Sequence, residues 1–256
     1  MSSTTYITNK CCGDDFGSQY YYLIAILLNC YANGYTFVYN KLTHMENNYD
    51  NIERMENLMN LRPHFTPFGD ESLNNAFITI YDMTIKNVIH ANIDYYTSDE
   101  YMGRIKDMFW ANKDAHTLFD NNGKLNVVLY LPENATVLPN DPENATVLPY
   151  DPENATVLSY DIYVNTIQTL RDQYNGNLTF HIYAQGSIDA FQCFSAAEDT
   201  IIHMNENIES TFISMVAADM LIVTNSSLSY TAALLSNGII YYQSNTNPPR
   251  NTWISL

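Results

Sequence analysis

The most specific local pattern in the chain is a run of small hydroxyl residues between two apolar stretches, Asn225-Ser-Ser-Leu-Ser-Tyr-Thr-Ala-Ala-Leu-Leu-Ser-Asn-Gly238. Read as a strand that ends and a helix that opens, it frees the backbone N–H groups of a first helical turn. Such a turn binds phosphate through its unpaired donors and the positive end of the helix dipole. The hydroxyls of Ser226, Ser227 and Ser229 would add hydrogen bonds to that phosphate. The same residues also read as a plain Ser N-cap without a ligand. A second pattern is the loop Gly13-Asp-Asp-Phe-Gly-Ser-Gln19. Its glycines let backbone approach a ligand closely, and a carboxylate there suits a general base; a glycine turn with exposed acids is equally ordinary in α/β proteins. A third is His203-Met-Asn-Glu206 at the carboxyl end of a predicted strand, where a binding residue or a packed histidine is expected.

Charge constrains these readings. With 28 acidic and 11 basic residues the net charge is −17, which repels nucleic acid and anionic membrane surfaces. Beyond Lys124 the cations are Arg171, read as solvated on a helix surface, and Arg250. A nucleotide diphosphate would therefore rest on the helix terminus at Ser227, with Arg250 and Lys10 as the nearby cations. No acidic cluster has metal-site spacing and there is no DxD, so neither a metal nor another cofactor is expected. Cys11, Cys12, Cys30 and Cys193 lack CxxC or metal-ligand spacing. With no basic leader or bilayer-length apolar run, they point to reduced thiols and a cytoplasmic protein.

The elements that must position these residues follow from hydropathy patterning. Strands are expected at Tyr6–Thr8, Tyr35–Tyr39 and Ala76–Tyr81, and helices at Gln19–Asn33, Asp50–Asn60 and Asp99–Trp110. In the last of these, Met102, Ile105, Met108 and Phe109 share one face. After a polar break at 112–123 come strands at Asn126–Leu131, Leu178–Tyr183, Thr200–Met204, Met220–Thr224 and Gly238–Tyr242. Helices reaching Tyr174, at Ile188–Phe194, at Ile208–Asp219 and from Ser226 separate them, which implies parallel sheets and right-handed crossovers. The expected fold is α/β with two Rossmann-like domains, residues 1–122 and 123–256, and a ligand cleft between them. Residues 132–161 form three ten-residue units, PENATVLPND, PENATVLPYD and PENATVLSYD. These are too short for solenoid repeats and read as a repeat-expanded surface loop whose Asn-Ala-Thr sequons stay unmodified.

Three segments in this order, Phe16-Gly-Ser-Gln-Tyr20, Phe180-His-Ile-Tyr-Ala-Gln-Gly186 and Ser226-Ser-Leu-Ser-Tyr-Thr-Ala-Ala-Leu234, resemble the fucosyltransferase-like glycosyltransferases of GT-B architecture. These include the α-1,2-fucosyltransferase and protein O-fucosyltransferase groups and relatives encoded by large DNA viruses. Phe109-Trp-Ala-Asn-Lys113 adds to the likeness. The resemblance implies inverting, metal-independent transfer of a sugar, fucose from GDP-fucose, to a glycan hydroxyl. It implies donor contacts from Ser226, Ser227, Ser229, Gly17 and Gln19, a base at Asp14 with Asp15 as its neighbour, and nucleobase contacts from His203 and Asn205. Where that family carries His-x-Arg, this chain has Tyr130 and Pro132. Loss of a guanidinium from a developing charge typically costs about 10²-fold or more in rate. The alternative expectation is thus a catalytically degenerate relative that acts as a glycan-binding or interaction module.

Overall fold

The computed structural model describes residues 4–10, 14–43, 52–74, 76–82, 84–114, 118–119, 123–132, 161–194, 197–243 and 247–256. The repeats, apart from Pro132 and Asp161, and the Cys11-Cys12-Gly13 segment lie outside the described residues.

The N-terminal half begins with β1 (Tyr6–Asn9), α1 (Phe16–Asn33) and β2 (Thr36–Tyr39). α2 (Ile52–Met59), β3 (Thr66–Pro67), β4 (Ile78–Tyr81), α3 (Ile85–His90), α4 (Ile93–Tyr96) and α5 (Asp99–Trp110) follow. Its sheet runs β3-β2-β1-β4 with every pairing parallel. α1 starts three residues before the hydropathy pattern suggests, because Asp15 is its N-cap and accepts the Ser18 N–H at 2.8 Å. It stops at Gly34, whose φ of 67° closes the last turn on the Cys30 carbonyl, a conformation that glycine adopts without steric cost. The apolar face predicted for α5 is the one it buries. β3, α3 and α4 carry no strong periodicity and escape the sequence reading.

The C-terminal half contains β5 (Leu125–Leu131), α6 (Asp161–Tyr174), β6 (Leu178–Ala184), β7 (Thr200–Met204) and α7 (Ile208–Ala217). It ends with β8 (Met220–Val223), α8 (Ser227–Leu235), β9 (Ile239–Tyr242) and the short β10 (Ile254–Ser255). The helix expected at Ile188–Phe194 is 3-10 rather than α. α7 ends at Ala217 instead of Asp219, because Asp219 turns back to serve the sheet: its carboxylate accepts the Asn126 N–H at 2.8 Å and its carbonyl that of Ile239. The sheet order is β10-β9-β8-β5-β6-β7, all parallel. Counted from its own first strand this is 3-2-1-4-5-6, the doubly wound dinucleotide-binding order.

Alternation along the central strands sorts two faces. Val127, Leu129, Leu131, Phe180, Ile182 and Ile222 pack with α6 residues in one core. Val128, Tyr183, Leu221, Val223, Ile240 and Tyr242 turn the other way, into a core that also holds α1 and α5. Residues Tyr20 to Leu28 are at most 2% exposed. A helix apolar on all sides must be surrounded, and α1 is, by its own sheet and by α3, α5 and α8. The two sheets are separate, but they share this hydrophobic core. Arg171 departs from its expected solvated state: its guanidinium grips Asp199 through two bonds of 2.8 and 2.9 Å and lies over the Phe180 ring. Burial opposes ionisation of Asp199, but the hydrogen bonds and charge of Arg171 outweigh it and hold the carboxyl below the usual range.

Candidate functional site

In doubly wound sheets ligands bind outside the carboxyl ends of the strands, where the strand order reverses. In the C-terminal sheet that point lies between β5, which leads to Pro132, and β8, which leads through Thr224 and Asn225 into α8. In the N-terminal sheet it lies between β1 and β4, so the β1–α1 loop with Asp14 and Asp15 borders it. The first turns of α1 and α8 meet, which brings both loops together.

The contact is direct. A Cβ on Gly17 would lie 2.4 Å from the Leu228 nitrogen and 2.7 Å from the Ser227 carbonyl carbon. Gly17 is therefore the residue that lets the two helices touch. Its carbonyl accepts the Thr231 hydroxyl at 3.0 Å. The Ser227 hydroxyl donates to Asp15 Oδ1 at 2.9 Å, and the same carboxylate accepts the Ser18 N–H and hydroxyl. Asp15, expected beside the base, is instead the N-cap of α1 and a strut to α8.

The other expected donor contacts divide. Ser226 is the N-cap of α8, accepting the Leu228 N–H at 3.2 Å. Ser229 is fully buried, and its hydroxyl donates to the Thr224 and Ser226 carbonyls, both at 3.1 Å. It braces the turn from inside and presents nothing to a ligand. Gln19 is buried too; its amide holds the Asp14 carbonyl at 2.6 Å and so shapes the acidic loop. Asp14 itself is half-buried, with Oδ1 accepting the Asp15 N–H at 3.0 Å. Of the two acids it is the one not committed to the seam.

His203 and Asn205 lie where β7 ends. The His203 ring stacks on Tyr183, with centroids 4.3 Å apart and planes at 7°, and its Nε2 is 3.1 Å from His181 Nδ1. His181 Nε2 in turn is 3.2 Å from Asn126 Oδ1. One consistent tautomer set has both rings neutral, each donating from Nε2. Burial lowers the His203 pKa, partly opposed by Glu206. Asn205, at φ 54°, brackets Gly186 by accepting its N–H at 2.9 Å and donating to its carbonyl at 3.2 Å. Its amide is a loop brace, not a free base-recognition group. His181 and Asn126 escape the sequence reading because their partners lie on neighbouring strands.

Of the two cations assigned to the phosphate, Arg250 is paired with an acid of α5. Arg250 Nη2 is 3.6 Å from Asp99 Oδ1, and its largely buried guanidinium lies beside Tyr230 and Lys106. Lys106 itself caps the far end of α8 through the Ser236 carbonyl at 2.7 Å. The Asp82 carboxyl is held low chiefly by hydrogen bonds from Thr84, with a smaller contribution from the charge of Lys10. Lys113, which closes the Phe109–Lys113 segment, rests its ammonium over the Phe109 ring, and burial pushes it down to about 8. Among the described residues no three His, Cys, Asp or Glu side chains are grouped to hold a metal ion, and no helix is long and apolar enough to cross a membrane.

Neither a protein-family model nor a curated protein sequence matches the chain. Among solved structures it is similar to E. coli heptosyltransferase WaaC with ADP-2-deoxy-2-fluoro heptose, at 10% identity over 99% of this chain and 93% of that one, with a TM-score of 0.46. It is similar to NodZ α-1,6-fucosyltransferase soaked with GDP-fucose, at 9% identity over 91% and 93% of the two chains, TM-score 0.42. An Arabidopsis thaliana FUT1 mutant in complex with GDP matches at 8% identity over 97% and 73%, TM-score 0.44.

Proposed function

We propose that this protein is a GT-B-like glycosyltransferase that binds a nucleotide sugar at the β5–β8 switch point and transfers the sugar to a glycan hydroxyl. The observation that carries this reading is the 3-2-1-4-5-6 strand order, with the Ser226–Ser227 turn at its reversal and the Asp14 loop of the second sheet against it. In this scheme the α8 turn holds the diphosphate, and Asp14 takes the proton of the attacking hydroxyl. Attack from the acceptor side inverts the sugar, and the leaving diphosphate departs without a metal. The resemblance in the sequence favours GDP-fucose as donor. Isothermal titration with GDP, UDP and CMP, followed by hydrolysis assays with the matching nucleotide sugars, tests it. Selective GDP binding with slow GDP-sugar hydrolysis is expected; absence of nucleotide binding would refute it.

A second reading, a non-catalytic relative that binds glycans or a protein partner, is favoured by one specific arrangement. Arg250 is engaged with Asp99, while Tyr130 and Pro132 stand where the resembled family has His-x-Arg. Electrostatic stabilisation of a departing diphosphate needs a cation or several aligned donors. Under this reading glycan binding is retained and no donor turns over.

A further inference from the structure

Buried polar side-chain atoms in folded proteins are almost always hydrogen-bonded, so those that are not call for an explanation. Three such atoms gather beyond the first turns of α1 and α8: the Tyr21 hydroxyl, His90 Nε2 and Arg250 Nε, each sealed from solvent and without a hydrogen-bond partner. Tyr21, on α1, is only 2% exposed. The His90 ring of α3 stacks on it with centroids 5.7 Å apart, and the Tyr230 ring of α8 meets it edge-on at 5.1 Å. The Tyr230 hydroxyl donates to the Pro248 carbonyl at 2.8 Å, so the chain that carries Arg250 closes over the group. The charges here are positive. The Lys86 ammonium lies 5.6 Å from the Tyr21 ring centroid, and Lys106, its pKa lowered first by burial, is lowered further by the charge of Arg250. Burial raises the Tyr21 pKa, so its hydroxyl keeps its proton and can donate. Asp99, the ion-pair partner of Arg250, is fully exposed and stands 3.6 Å from Nη2, against about 2.7–2.9 Å in a well-made pair. Asp94 is spent on the Asn251 N–H at 2.9 Å. In a chain of net charge −17, a guanidinium only 15% exposed is left under-compensated.

We propose that Arg250, Tyr21 and His90 form a binding site for a small oxyanion, a phosphate or a carboxylate, enclosed between α1, α3, α8 and residues 247–253. The fork of the guanidinium, Nε with one Nη, matches two oxygens of such an ion. The Tyr21 hydroxyl and the Nε2–H tautomer of His90 supply further donors, and Lys86 adds charge. Binding exchanges Asp99 for the ion at Arg250, and residues 247–253 open to admit it. The site is separate from the Ser227 turn and does not rest on the nucleotide-binding reading.

The experiment is the melting temperature of the full chain titrated with sodium phosphate and, separately, sodium acetate, with chloride holding ionic strength constant. It compares wild type, Arg250→Gln, Tyr21→Phe and Ser227→Ala. A specific site gives a saturating rise, about 3–6 °C at a roughly tenfold excess over Kd, whereas exclusion of salt from the surface gives no saturation. Arg250→Gln should abolish the rise. Tyr21→Phe keeps the ring packing and deletes only the hydroxyl, so it guards against an arginine variant that fails to fold; it should move the midpoint to concentrations on the order of 10-fold higher. Ser227→Ala should respond as wild type does, which separates this site from the opening of α8. Saturation by phosphate alone identifies a phosphate site, and saturation by both ions or by acetate alone a carboxylate site. No saturating rise in wild type, as expected of an ordered water only, overturns the proposal. So does a wild-type response in either Arg250→Gln or Tyr21→Phe, or loss of the response in Ser227→Ala.

Discussion

The two sheets are stabilised differently. In the C-terminal sheet the seven-residue β6 is buried along its whole length, and β5 and β8 meet at the centre of a complete doubly wound order. The N-terminal sheet has strands of four residues or fewer, and its edge strand β4 leaves Ile80 at 59% exposure with the adjacent Phe77 at 88%. Short strands bury little apiece and rely on packing against a helix. α1 makes up the deficit, packing the N-terminal sheet on one side and α8 on the other. One half of the molecule carries the longer, fully buried strands, and the two halves are joined by a helix that both pack against.

That contrast is breakable at the shared helix. Ile24, fully buried at the middle of α1, should cost about 2–5 kcal/mol as Ile24→Ala. Urea unfolding followed by near- and far-ultraviolet circular dichroism should show one transition at lower denaturant, because both halves lose the same support. Two separated transitions would mean that the halves fold independently. Gly17→Ala should follow at about 1–3 kcal/mol, since its methyl has backbone on the facing helix within 2.7 Å and overpacking is costly. The same change at Gly103, with open space around it, serves as the reference. Ile80→Ala on β4 should change stability by less than about 0.5 kcal/mol, and a larger loss would show that the β4 edge is packed in solution.

A pH effect sharpens the comparison from the other side. Burial lowers the His203 pKa, so the folded state favours the neutral ring. Its contribution is present above the unfolded-state value near 6.5 and is lost as pH falls through the lower folded value. His90, in the N-terminal half, shifts the same way through burial and the nearby Lys86. Melting temperature should therefore fall below about pH 6.5, and His203→Gln should flatten part of that fall. An unchanged pH profile in His203→Gln would remove His203 from this effect.

Much of this architecture was legible in local pattern. The α5 face, the strands β5 to β9 and the opening of α8 at its serines all follow from periodicity and capping chemistry within a few residues. What was not legible is long-range. Ser227 and Asp15 are 212 residues apart, and Arg171 and Asp199 are 28 apart, so no window along the chain reports either contact. For the same reason Ser226, Ser227 and Ser229 look alike in sequence but do different work: a cap, a bond to the other half and an internal brace. Burial sets Ser229 apart, and the bond to Asp15 separates Ser227 from Ser226; both depend on what packs against α8. The short β3 and the 3-10 turn at Ile188–Phe194 were missed or misread because brief segments carry too few residues for a period to register.

Amide hydrogen exchange with and without GDP tests the placement of the nucleotide most directly. GDP should slow exchange at residues 226–231, where α8 opens, and alter it at residues 14–19, where α1 opens, with β4 and α4 unchanged. Protection confined to other segments, or no protection at concentrations where GDP is bound, would contradict a nucleotide site at the α1–α8 seam.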